Sequence, residues 1–351
     1  EVPCRERKDA DDPYILENDQ LKVTFSKETG TIERIYDKVN GREILSEASS
    51  VSVVEDLNDT WGHQLKKLDQ KIGEFWLVSA KVADYGPVRK AVQFISRYEN
   101  STLKQVFSLY EGENVVRVKA KLNWQGHLKA VKMYYTANLK ESFEANVEIP
   151  YGYVKKNTIG LEEPMQGWAD VSDDTYGLAI LNDCKNGVDF TGSRIGITVL
   201  RSPVFAHHQP YELCAEEEEE YSFMDQGISE YSYIVEPHDG KWQDTSVVKD
   251  ARLLNHPLVT MFETFHKGSL PLRSSYLSID AENVVMSALK KPLKKNGTIL
   301  RCYETSGRDA QCTIQFMGSS HKTTFDPHQV KTFIIEETGT WKEVNLIEEE
   351  L

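Results

Sequence analysis

The chain is short of several things that would have made its role plain. It has only five cysteines in 351 residues, Cys4, Cys184, Cys214, Cys302 and Cys312, and no pair has C-x-x-C spacing. That is too sparse for a disulfide scaffold and lacks the usual zinc-ribbon signature, so reduced thiols in a cytoplasmic protein are expected. A hairpin between Cys302 and Cys312 would set those two thiols face to face, the alternative to reduced thiols at these positions. No apolar run approaches the ~20 residues that span a bilayer, and no secretory leader is visible. Positive charge is in deficit: 41 Lys and Arg against 55 Asp and Glu give a net charge of −14. Such a surface repels phosphate and anionic lipid, which argues against nucleic acid and membrane partners. Three N-x-[ST] triplets, at Asn58, Asn100 and Asn296, carry little weight without a secretion signal. Position 1 is Glu, not Met, which leads us to expect a chain that is processed or cut from a longer one.

Complete catalytic motifs are also missing. There is no P-loop, dinucleotide fingerprint, G-x-S-x-G elbow or H-E-x-x-H helix. Helical periodicity is strong only once, in "TSVVKDARLLNHPL", where Val247, Val248, Ala251, Leu254 and Leu258 follow helical spacing. Thr245 or Ser246 is placed to cap this helix, expected over 246–256, and Pro257 limits its end.

What is present is strand after strand. "LKVTF" puts Leu21, Val23 and Phe25 on one face, and "NVVRVKAKL" alternates Val116, Val118, Ala120 and Leu122 with Arg117, Lys119 and Lys121. That is the period of a sheet with one wet face. Asn40-Gly41 marks a hairpin turn. Numerous strands and almost no helix predict an all-β fold of antiparallel sandwiches. We expect a linker over 1–13, a large sandwich domain over 14–270 that includes the connector helix, and a smaller β-sandwich over 271–351. The run "AEEEEE", Ala215–Glu220, reads as a solvated loop.

Three stretches have residue types that do chemistry. In "LNDCKNGVDFTGSRIGITVLRSP", Arg201 has the same parity as Ile195, Ile197 and Val199. If the strand is regular, Arg201 points toward whatever covers the apolar face and needs a partner there: Asp183, Asp189 or a ligand oxygen. Alternatively Ser202-Pro203 bends the strand and leaves Arg201 in solvent. His207 and His208, with Cys214 downstream, are adjacent, so on a strand they point to opposite faces, poor geometry for a metal. In "YSFMDQGISEYSYIVEPH", Tyr231, Tyr233 and Val235 share a face that suits a sugar site or an ordinary core.

Five segments in order resemble a known family. They are "ILENDQLKVTFSKETGTIERIYDKVNGREIL", "MQGWADVSDDTYGLAILNDCKNGVDF", "ITVLRSPVFAHH", "MDQGISEYSY" and "NVVMSALKKPL…GTILRCYETSG". Together they resemble the C-terminal region of glycoside hydrolase family 38 α-mannosidases of bacterial type. The resemblance implies a large supersandwich like that of galactose mutarotases, followed by a smaller β-sandwich. It implies that an N-terminal catalytic α/β barrel and a helical domain are absent from this chain and are its partners. Those parts hold the zinc, the nucleophilic aspartate and the acid/base aspartate of a retaining mechanism. No catalytic residue, metal site or cofactor is therefore expected within the chain, and it is expected not to hydrolyse mannosides alone. An arginine of the family's eukaryotic members approaches the substrate from the sandwich. The resemblance puts that role on Arg201, with the loop containing Asn182, Asp183 and Asp189 in support, as a wall of the α-mannoside site.

Two other classes compete with this scaffolding role. One is an autonomous carbohydrate-binding module. The other is a mutarotase-type enzyme, which needs a His and a Glu converging on one sugar; His63, His127, His207 and Glu230 are the available residues. Self-association is left open.

Overall fold

A computed structural model of the chain describes residues 12–140, 142–207, 220–294 and 296–350. Most of the linker expected over 1–13, Cys4, His208, Cys214 and the acidic run up to Glu219 lie outside the described residues. The described residues are all-β with one α-helix, Val247–Asn255. The chain divides into two compact units: Glu1–Val147 with Lys155–Pro257, and Glu148–Val154 with Leu258–Leu351. That division falls ahead of residue 270 and moves a short excursion at 148–154 to the second unit, which strand periodicity cannot reveal.

Alternation drives the first unit. Leu21, Val23 and Phe25 are buried between an exposed Lys22 and a half-buried Thr24. Val116, Val118, Ala120 and Leu122 are buried, with Lys119 and Lys121 exposed. A six-stranded antiparallel sheet runs Glu163–Pro164, Gly187–Thr191, Arg194–Arg201, Lys129–Thr136, Ser50–Glu55, Lys71–Glu74. A nine-stranded sheet has Gly227–Asp239 at its middle, between Tyr176–Asn182 and Val116–Trp124. The two sheets meet face to face where the Tyr135 and Tyr233 hydroxyls are 3.0 Å apart and Gln105 donates to Tyr233 over 3.1 Å. Buried phenols need such partners. Tyr231, Tyr233 and Val235 are thus core residues, the plainer of their two readings. The N-terminal hairpins form a four-stranded sheet whose Phe25 packs on Phe94 and Phe107, each ring centroid 4.9 Å away, with those two rings 5.9 Å apart. The turn at Asn40-Gly41 has Gly41 at φ 64°, where a side chain would be strained.

The helix covers one end of the nine-stranded sheet with Val247 and Ala251 buried. Ser246 is its N-cap residue but makes no cap bond; its hydroxyl donates to Glu236 instead, over 3.0 Å. Leu258 lies beyond the helix and is exposed, contrary to its place in the helical pattern.

In the second unit a three-stranded and a four-stranded sheet share a core of Leu300, Cys302, Cys312, Ile314, Phe325 and Phe333. Cys302 and Cys312 belong to strands of different sheets, so no hairpin sets the two thiols face to face.

Candidate functional site

The strand Arg194–Arg201 carries a β-bulge. Its register against Lys129–Thr136 runs Ile195↔Tyr135, Ile197↔Met133 and Thr198↔Lys132, then jumps to Leu200↔Val131 and Arg201↔Ala130. Val199 is the extra residue. Opposed residues of an antiparallel pair share a face. Ile195, Ile197 and Leu200 therefore face the nine-stranded sheet with Tyr135, while Thr198 and Arg201 lie on the outer face with Lys132. A regular strand would have put Arg201 on the face of Ile195 and Ile197; the bulge reverses this, since one inserted residue flips every side chain beyond it.

On the outer face Arg201 meets the loop that follows Ser50–Glu55. Its Nε donates to Asp56 Oδ2 over 2.7 Å and its Nη2 to Asp56 Oδ1 over 3.1 Å. Nη2 also reaches the Asp59 carbonyl at 3.2 Å. This two-pronged geometry fixes the guanidinium plane. Asp56 is fully buried and Arg201 keeps 20% of its side-chain surface exposed. Asn58 adds main-chain and side-chain donors to Asp56 at 3.3 and 3.1 Å. Nη1 has no acceptor among the described residues and lies over Gly62, where a built Cβ would sit 3.2 Å from it.

The same loop binds Asp59 to His63, with Nδ1 and Oδ2 2.7 Å apart and the His63 amide 3.1 Å from Oδ1. Burial opposes ionisation of Asp59, but these hydrogen bonds and the His63 charge hold its carboxyl down at about 2. Thr60 Oγ1 ties the loop to the Val204 carbonyl at 2.6 Å. Two aromatic side chains stand exposed beside these anchors, Trp61 in the loop and Phe205 just past Arg201. Sequence reasoning missed Asp56, Asp59 and Trp61. The signal was "EDLNDTWGH", a polar loop with one tryptophan between two strands.

The other expected site residues lie elsewhere. Asn182 is buried and holds its own turn: its side chain donates to the Gln166 carbonyl and accepts from the Lys185 amide. Asp183 accepts from the Ser232 amide at 2.9 Å, closing the strand pair there. Asp189 is buried on Lys132, with Nζ at 2.5 Å, and Lys132 also binds Glu162, whose other oxygen accepts from Thr198. Asp189 pairs with Gly196, five residues from Arg201, roughly 16 Å along a strand. It is therefore a partner of a buried lysine, not of Arg201.

The residues weighed for mutarotase chemistry do not form a His–Glu pair. Glu230 is exposed and bound to Lys121 at 2.7 Å, His63 is on Asp59, His127 stacks on Phe223 and His207 packs against Tyr221. Among the described residues no group of three or more His, Cys, Asp or Glu is arranged to hold a metal. The Arg201 cluster can donate hydrogen bonds to neutral oxygens and offer aromatic faces, which suits binding more than proton transfer.

Residues 16–209 match the glycosyl hydrolases family 38 C-terminal domain, and residues 283–351 match the family 38 C-terminal beta sandwich domain. Alpha-mannosidase G of Dictyostelium discoideum is 24% identical, with 87% of this chain aligned to 29% of that protein. Alpha-mannosidase 2C1 of Homo sapiens is 25% identical, with 87% of this chain aligned to 30% of that protein. The chain thus spans less than a third of the length of these relatives. The crystal structure of an alpha-mannosidase from Enterococcus faecalis V583 superposes on 91% of this chain and 42% of its own, with a TM-score of 0.75 at 13% identity. That likeness extends the shared fold over both units.

Proposed function

The chain belongs to glycosyl hydrolase family 38, as part of its C-terminal region, and from that premise we propose that it is the non-catalytic portion of a zinc-dependent retaining α-mannosidase. In this reading it scaffolds a catalytic barrel that precedes it and supplies one wall of the substrate site. The observation that carries the reading is the pair of family matches, both described as C-terminal and together aligned to under a third of each relative. Zinc, when bound in the barrel, polarises sugar hydroxyls. The chain's own contribution is Arg201, held by Asp56 with Nη1 lying over Gly62. A rigid donor of this kind orients a hydroxyl without reorganising, which favours the transition state. A cytoplasmic location belongs to the same proposal.

The test compares the full-length protein with its Arg201→Met variant on α-mannosides. We expect kcat/KM to fall about tenfold or more, the worth of one well-placed hydrogen bond. Unchanged kcat/KM on every α-mannoside tried would remove Arg201 from the site. The 351-residue chain alone is expected to be inactive. Titration of that chain with mannose and oligomannosides separates scaffold from binding module: saturable binding at millimolar or lower concentration would favour the module.

A further inference from the structure

Between the two family-matched regions lies a segment with an unusual surface. From 257 to 269 the chain forms neither helix nor strand, and the next strand is Leu277–Ile279. Among the described residues, no main-chain group of 257–275 is hydrogen-bonded to another main-chain group. Its apolar side chains point into solvent: Leu258, Val259 and Met261 are more than 85% exposed, and Phe262, Phe265 and Leu272 are entirely so. Glu263 and Lys267 are the only acidic and basic groups between Leu258 and Leu272 apart from His266. A soluble surface rarely leaves a contiguous apolar patch beyond ~300–600 Å² without a partner for it. Main-chain groups left to water across such a stretch are equally open to a covering strand or loop.

Charge and composition narrow the occupant. A nearly neutral ribbon of Leu, Val, Met and Phe with open main-chain groups fits an apolar protein surface, not a sugar or a phosphate. Both matched regions have the family's C-terminal domains, and the relatives have about 70% of their length outside the aligned part. We propose that residues 258–272 are a docking strap covered by the N-terminal portion of the same protein. This rests on the C-terminal reading above and adds the segment through which the two portions bind.

Hydrogen exchange on the full-length protein and on the 351-residue chain tests the strap. Amides of 258–272 are expected to exchange at least ~100-fold more slowly in the full-length protein than in the chain alone. The variant Phe262→Ser, Phe265→Ser, Leu272→Ser should restore fast exchange there. Because those side chains are exposed in the chain alone, its melting temperature should not move. If the strap stays fast while the 56–63 loop becomes protected, the strap assignment falls and the C-terminal reading stands. If neither region gains protection, the proposed scaffolding of the N-terminal portion falls with the strap. Slow, concentration-dependent exchange in the chain alone would mean that a second copy covers the strap, and would overturn the proposal.

Discussion

Arg201 and Asp56 should not be interchangeable in their effect on stability. Asp56 has no exposed side-chain surface, whereas Arg201 keeps one edge in solvent. Replacing Arg201 with Met leaves a buried carboxylate with only the Asn58 donors, at 3.3 and 3.1 Å. Loss of one partner of a buried pair costs about 3–5 kcal/mol; the exposed edge of Arg201 and the Asn58 donors reduce this to about 2–4 kcal/mol. Asp56→Asn preserves volume and a carbonyl acceptor, and the guanidinium still reaches the Asp59 carbonyl and water, so about 1–2 kcal/mol is expected. The double variant should cost less than the sum, with a coupling energy of about 1–3 kcal/mol. Urea unfolding of the chain, followed by tryptophan fluorescence, measures all three. Should Arg201→Met cost no more than Asp56→Asn, or the coupling fall below about 0.5 kcal/mol, the pair is an ordinary screened surface bridge. Arg201 would then not be pre-held for a ligand. The same measurement also supplies the folding control for the activity test of Arg201→Met.

Two further outcomes follow from buried charge elsewhere. Lys132→Met leaves Glu162 and Asp189 as like charges without their lysine and should cost about 3–5 kcal/mol at pH 7 in the same urea assay, most of it recovered when Glu162→Gln and Asp189→Asn are added; a loss under about 1 kcal/mol would refute the buried triad. Burial, then the charge of Asp250, pushes the Glu236 carboxyl up to about 7 from 4.5, against the Ser246 hydrogen bond and the charges of His238 and Arg117. A folded-state acid with a raised pKa holds its proton while the unfolded chain releases it, so stability falls as pH climbs from about 4.5 to about 7. Glu236→Gln should gain about 1–3 kcal/mol on wild type across that window, read from urea curves at pH 5 and pH 8; parallel pH profiles would contradict the assignment. His238 is held up by Asp170 despite burial, so some slope in the same direction should survive in the variant.

Much of this was legible from local patterning. The period of two in "LKVTF" and "NVVRVKAKL" predicted which side chains would be buried, because a strand's faces alternate whatever sheet it joins. The helix Val247–Asn255 was readable from its apolar spacing and from Pro257. The all-β class followed from the same evidence, and the order of five segments pointed to the family.

The site was less legible, for physical reasons that can be named. Periodicity assumes a regular strand, and the bulge at Val199 breaks it between Ile197 and Arg201, so Arg201 points away from the face its parity assigned. Its partner, Asp56, is 145 residues away in sequence and reaches it only because Ser50–Glu55 and Arg194–Arg201 both flank Lys129–Thr136. Asp189, close in sequence, is turned to Lys132 by strand register. The sequence by itself determined which residues alternate into the cores and which family the chain resembles. The tertiary structure alone decided which charges meet, because a single inserted residue and the order of strands in a sheet set side-chain direction over distances that no local pattern spans.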